Sequence, residues 1–511
     1  MNAGGVVAAG HAETARAGCQ VLADGGNAFD AVVAATWAAC VAEPVLASPA
    51  GGGFLLADPA GGRPTLLDFF TQTPRRKRVS SLDFQAIEGD FGTATQTFHI
   101  GMAACATPGV VAGLFAAHAR LGRLPMARLL EPAIRLARDG VVLNRFQAFI
   151  HRILEPTLGH TPAMKALFFQ EDGTLLGEGQ RQRMPALADF FTTLAREGAR
   201  WFHEGEPARS LDALSRERGG HLRLADLAGY RVHWRTPRRF KLQDATVYTN
   251  AWPSLGGPLI AQGMEWLQQH WRRQPAGGEA EQFRDLVAVM ATLEVFRRRS
   301  GLDRHPPAWP DVDADDYLRQ LAHYRHHPLA ARGTTHISVA DDQGNLAALT
   351  LSNGECNGHV LPGTGVLLNN MLGEEDLNPG GFHAWPEDVR LASMMAPTVV
   401  HRRDGRRQAL GSGGSNRIRS AISQVLLNLV RGDDPAEAVA RPRLHFEKGH
   451  LDLEQGLPEP VVQALLNQCP DHRLWPEPNL FFGGVHLAGR LADGSLEGAG
   501  DPRRGGVVCM A

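Results

Sequence analysis

The chain has 511 residues, 43% hydrophobic and 21% charged, enough to bury a large core and unlike a disordered protein. A formal net charge of -2 excludes strong electrostatic capture of nucleic acid or an anionic membrane surface. No run reaches the roughly 18 apolar residues of a membrane span, and the six scattered cysteines lack the spacing of a zinc site or a disulfide framework.

The first twenty residues have neither a basic n-region nor a continuous apolar h-region. A cytoplasmic protein with reduced thiols is expected, or a periplasmic one if translation starts upstream. Ala12 to Leu22 has helical apolar spacing, Gly25-Gly26-Asn27 breaks it, and Ala28 to Ala42 is apolar all round, as in a buried helix. Strand-like pieces follow at Gly51 to Leu56 and Pro64 to Phe70. Arg75 to Arg78 reads as a solvated basic turn. Helical patterns return over Val110 to Leu121 and Met126 to Arg138. A short helix after Leu222 leads to expected strands at Tyr230 to Val232 and Ala245 to Tyr248. A Pro253–Gly257 turn and a helix over Gln282 to Arg299 come next.

Between Arg304 and Gly333 four prolines and several acidic residues interrupt any pattern, so 304–333 is expected to be a mobile linker. Its His323, His326 and His327 have no carboxylate or cysteine at ligand spacing on a regular element, which argues against a metal site. At Thr334 the pattern turns abruptly to β: Thr335, Ile337 and Val339 alternate with His336 and Ser338. A turn at Asp341 to Asn345 returns the chain over Leu346 to Ser352. A hairpin symmetric about Gln343 puts Thr334 across from Ser352.

A threonine where a linker meets a strand becomes chemically interesting if the Gly333–Thr334 bond is cut. Thr334 then carries a hydroxyl nucleophile and an α-amine, with a pKa near about 7.7–8.0, that can accept the hydroxyl proton. Acyl transfer also needs oxyanion donors. Gly411 to Arg417, between a short strand at Gln408 to Leu410 and a helix at Ile418 to Leu429, is glycine-rich at a helix N-terminus. It lacks the GK[ST] ending of a phosphate loop, and an ordinary glycine turn is the alternative.

Nearly the whole chain resembles the γ-glutamyltransferase (glutathione hydrolase) family. The resemblance is carried, in order, by GGNAFDAVVAA (Gly25 to Ala35), EPVLASPAGGGF (Glu43 to Phe54), TPGVVAG (Thr107 to Gly113), EPAIRLARDG (Glu131 to Gly140) and LADLAGYRV (Leu224 to Val232). GTTHISVADDQGN (Gly333 to Asn345) follows, then PGTGVLLNN (Pro362 to Asn370), GSGGSNRI (Gly411 to Ile418), RPRLH (Arg441 to His445) and DPRRGG (Asp501 to Gly506). It implies an α+β fold, a four-layer αββα sandwich of the N-terminal nucleophile hydrolase type. It further implies a precursor cut into a large chain (1–333) and a small chain (334–511) that stay associated as one unit. The activity implied is attack on a γ-glutamyl amide such as glutathione, with transfer to water or an amine and no cofactor. By matching motifs Thr334 is the nucleophile, Ser352 supports its hydroxyl, Asn353 and Ser393 line the donor site, and the N–H groups of Gly413 and Gly414 form the oxyanion hole.

Three positions depart from the pattern. Phe70 stands where the family has the arginine that grips the donor's α-carboxylate, unless Arg75 or Arg76 takes over. Met371 replaces a common glutamine, while Glu374 can serve for the aspartate that binds the donor's α-amine. Around Ser393 a double serine is reduced to one. Charge-assisted arginine–carboxylate pairs discriminate steeply, so Phe70 favours a different acyl group, as in an acylase of the same fold. The remaining reading is an unprocessed binding protein.

Overall fold

The computed structural model describes residues 4–90, 95–275, 277–299, 333–378 and 380–511. Linker residues 304–332, with the three histidines, lie outside the described residues. Two antiparallel sheets form the centre. The first has seven strands in the order Val507–Met510, Gly5–Ala9, Thr335–Asp341, Leu346–Ser352, Gly52–Asp58, Thr65–Phe69 and His233–Arg235. The second has six: Leu496–Ala499, Gly484–Arg490, Arg407–Gly413, Thr398–His401, Ala245–Thr249 and Arg238–Leu242.

Period-2 alternation decides what each strand touches. Val7, Leu55, Ile337, Val339, Leu349 and Leu351 bury into one cluster with the helices Ala12–Ala23 and Ala28–Ala42. Val6, Phe54, Leu56, Ala340 and Ala348 share a second cluster with Val399, Leu410 and Leu487 of the other sheet. That second cluster continues into the helices Gly256–Arg273, Glu279–Arg299 and Arg417–Arg431. Helix, sheet, sheet, helix is the expected αββα order. All fifteen residues of Ala28–Ala42 are buried, as an all-round apolar helix requires. Its start is fixed by an Asn27–Asp30 capping box. The Asp341 carboxylate accepts from Ala28 N at 3.0 Å and from Asn345 N at 2.8 Å, which ties the hairpin turn to that helix start.

Some expectations need correction. Tyr230–Val232 is not a strand: the helix Leu224–Gly229 ends there, and Tyr230 points its hydroxyl at the Phe70 carbonyl, 2.7 Å away, so pairing begins only at His233. A helix begins at Gly256, inside the stretch Pro253–Gly257 expected to be a turn, and runs to Arg273. Arg75 and Arg76 are exposed; the Arg75 guanidinium pairs with Asp388 at 3.3 Å and its backbone N–H donates to Asp226 Oδ1 at 2.8 Å. All six cysteines are free. Among the described residues no helix is long and apolar enough to cross a membrane.

Candidate active site

The site is built at the mouth of the central hairpin. Register runs from Ala340↔Leu346 to Thr335↔Leu351, so the next pair outward is Thr334 opposite Ser352, as the symmetry about Gln343 requires. Both are buried, at 6% and 4% exposure. In the uncut chain the Ser352 hydroxyl donates to the Gly333 carbonyl and accepts from Gly354 N at 2.9 Å. It therefore sits on the carbonyl of the bond before Thr334. Gly333 N donates to Glu355 Oε1 at 3.1 Å, which fixes the residue from its other end. Gly354 needs its positive φ of 64°, and a Cβ there would come within 1.9 Å of Asn370 Oδ1 and 2.5 Å of Glu374 Oε1.

Behind Thr334 lies a carboxyl that no motif reading singled out. Thr335 Oγ1 and Thr14 Oγ1 donate to the two oxygens of Glu43, each at 2.8 Å. Glu43, Thr334, Gly413, His486 and Arg504 line one small cavity. Burial pushes the Glu43 carboxyl up to about 7 from 4.5, against the pull of the two hydroxyls. Between those pH values the folded chain keeps a proton that the unfolded chain releases, so this group's contribution to stability falls as pH rises through the window. Glu43→Gln holds the neutral form. The parent's stability relative to that variant is expected to decline by about 3 kcal/mol from pH 4.5 to pH 7, read from urea midpoints. Parallel profiles would remove Glu43 from any pH-dependent role.

The glycine turn approaches from the second sheet. Gly413 ends its strand opposite Gly484, and Gly414 follows with φ of 120°. A Cβ on Gly413 would lie 2.2 Å from the Thr334 carbonyl oxygen, so the turn rests directly on the nucleophile's backbone. Arg504 Nη1 reaches the same oxygen at 3.4 Å, and burial beside Arg417 lowers that guanidinium to about 10. Buried pairs from Arg443 to Asp501 and from Arg503 to Glu454, each 2.6 Å, hold the DPRRGG segment that presents Arg504.

On the open side a cleft of about 450 Å³, its mouth included, brings together Thr334, Ser352, Phe70, Met371, Glu374 and Ser393. Phe70 is 1% exposed and stacks on Phe54 at 5.4 Å, as part of the wall rather than a mobile cover. Arg390 lies beneath it, bonded to the Phe70 carbonyl and paired with Asp68 at 3.4 Å. Ser393 is propped by the Pro253–Gly257 turn: Ser254 Oγ and Leu255 N both donate to its carbonyl at 2.8 Å. Asn353 departs from its expected place. It is fully buried, its amide donates to Cys356 Sγ at 3.2 Å, and it lines neither of these two cavities. Arg297, Asp376 and Ser415 line the cleft without having been singled out in the sequence. Arg297 falls in an Arg-Arg-Arg run that reads as an ordinary basic helix end. No group of three or more potential metal ligands occurs among the described residues.

A family model described as gamma-glutamyltranspeptidase matches residues 14–511. The chain is 30% identical over 519 residues to an acylase ACY 1 proenzyme of Pseudomonas sp. (strain V22), covering 97% of this chain and 91% of that one. It is 29% identical over 538 residues to the glutathione hydrolase proenzyme of Escherichia coli (strain K12), covering 98% and 90%. The crystal structure of cephalosporin acylase from Bacillus halodurans superposes with a TM-score of 0.80 at 21% identity, covering 99% and 96%, a likeness of fold.

Proposed function

This chain belongs to the γ-glutamyltranspeptidase family and is an enzyme of its amide-hydrolase type, and on that premise we propose that it cuts itself before Thr334 and then deacylates amides other than γ-glutamyl ones. The observation that carries self-cleavage is the Ser352 hydroxyl on the Gly333 carbonyl, with Thr334 buried beside it at the cleft. Thr334 Oγ adds to the Gly333 carbonyl carbon, and Ser352 and neighbouring donors stabilise the oxyanion. The C–N bond then breaks, leaving an ester on Oγ and a free amine. Water hydrolyses the ester, releasing residues 1–333 with a new carboxylate and a small chain beginning at Thr334.

In the cut form the α-amine takes the hydroxyl proton, and Oγ attacks the donor amide. The N–H groups of Gly413 and Gly414 receive the oxyanion, the leaving amine takes the proton, and water or another amine releases the acyl group. The two chains stay together through strands that alternate across the cut in the seven-stranded sheet.

The donor reading rests on Phe70. A buried phenyl fills the place where an arginine would grip an α-carboxylate, and Arg75 and Arg76 do not line the cleft. Phe70→Arg is expected to raise kcat/KM for γ-glutamyl-p-nitroanilide by about 10–100-fold, the worth of a charge-assisted contact, and to lower it for hexanoyl-p-nitroanilide. A parent that prefers the γ-glutamyl donor, and a variant that loses it, would restore the γ-glutamyl reading. Glu374, which lines the cleft and can face a donor α-amine, favours that second reading.

A further inference from the structure

Away from the cleft, a second cavity of about 360 Å³, its mouth included, opens where the helices Gly256–Arg273, Glu279–Arg299 and Arg417–Arg431 meet. None of the residues that line it lines the cleft beside Thr334. Helical spacing explains most of its wall. Leu259 and Met264 on the first helix, and Leu286, Met290 and Leu293 on the second, fall on one apolar stripe of each. Phe446, from the strand Leu444–Glu447, adds an aromatic surface.

The third helix breaks this pattern. It presents Arg419 and Ser423, four residues apart and so on one face, to an otherwise apolar space. Arg419 is 8% exposed, and its Nε is buried without a hydrogen-bond partner. Among the described residues its guanidinium makes no hydrogen bond or ion pair, and the Ser423 hydroxyl is also unbonded.

Three carboxylates act on Arg419 from a distance, but each is engaged elsewhere. Glu447 accepts from the Asn416 amide and faces His445 Nε2 at 3.4 Å. Glu294 accepts from Lys448 N, and Asp376 from Ser415 Oγ, each at 2.6 Å. Burial lowers the Arg419 pKa; Arg297 adds to that effect and the three acids oppose it. A guanidinium stays protonated all the same, so a charge is withdrawn from water with nothing for its donors to bond. The missing partner has two properties. The guanidinium fork calls for a planar anion, and the wall facing it calls for hydrocarbon. The volume is near the lower end of the roughly 300–1,000 Å³ of small-ligand pockets, which suits a short chain.

Independently of the deacylation reading, we propose that this cavity is a second ligand site for a short-chain aliphatic monocarboxylate. The carboxylate sits on Arg419 and Ser423, and the chain lies between the helices Gly256–Arg273 and Glu279–Arg299. Met264 and Met290 can repack around chains of different shape.

Hexanoate and uncharged hexan-1-ol, titrated against the purified protein in thermal-shift measurements, test this. Hexanoate should raise the melting temperature by a few degrees at saturation, and hexanol should bind at least about tenfold more weakly. Arg419→Met removes the charge while keeping a long side chain, and should weaken hexanoate to the level of hexanol. Ser423→Leu fills the cavity from the same helix face and should abolish both shifts, so the test survives if Arg419→Met does not fold. Hexanoate that stabilises the parent and both variants alike is bound elsewhere, the donor cleft included, and overturns the proposal. A parent that responds to neither ligand, or to both equally, also overturns it and leaves Arg419 a structural cation among Glu447, Glu294 and Asp376.

Discussion

Thr334→Ala is expected to remain a single uncut chain and to lose essentially all activity, while the parent separates into two fragments, the smaller beginning at Thr334. The loss should reach about 10⁴-fold or more, since nucleophile and base reside on one residue and neither forms without the other. Denaturing mass spectrometry and N-terminal sequencing read the cleavage, and the anilide assay reads the activity. Thr334 contributes little packing, so the variant should melt close to the uncut parent. A parent that stays whole after prolonged incubation would end the self-cleavage mechanism and leave a binding protein as the reading to pursue.

Gly413→Ala is expected to produce the second largest effect. Its methyl would sit 2.2 Å from the Thr334 carbonyl oxygen and 3.1 Å from Arg504 Nη1. The obstacle is backbone, which cannot rotate aside, so the turn must lift off the nucleophile. With the oxyanion donors displaced, kcat should fall by about 10²–10³-fold, the usual cost of losing one such donor. Self-cleavage should slow as well, because the same contact positions Thr334. The change is local, so circular dichroism should be unaltered. A variant with parental kcat would show that Gly413 is only a structural turn.

The parts of the molecule that follow local rules could be read from sequence. Strict alternation from Thr335 to Val339, a turn centred on Gln343 and a returning strand set a register that places Thr334 against Ser352. The continuous apolar run at Ala28–Ala42 could only be a buried helix. The cleft was legible where a motif named its residue, as at Phe70, Met371, Glu374 and Ser393. Asn353 follows Ser352 by one residue, and its amide is taken up by Cys356 Sγ, a contact that the motif does not announce. Glu43 and Arg297 were missed for another reason. Each is held at the site by partners far along the chain, Thr335 for one and Asn416 for the other. Neither a run of three arginines nor a glutamate at a helix end announces such a partner.

The strand Gly5–Ala9 lies between Thr335–Asp341 on one side and Val507–Met510 on the other, and Gly52–Asp58 is joined in turn to Leu346–Ser352. Scission before Thr334 would thus leave two polypeptides interleaved rather than docked, sharing one sheet without a flat boundary between them. The mature form would inherit a shape that only the continuous chain could find, since the strands were threaded while covalent linkage kept their effective concentration high. Its persistence would then be a matter of escape rate more than of equilibrium, and maturation a one-way passage: the cut that creates the catalyst also removes the connection by which it was assembled.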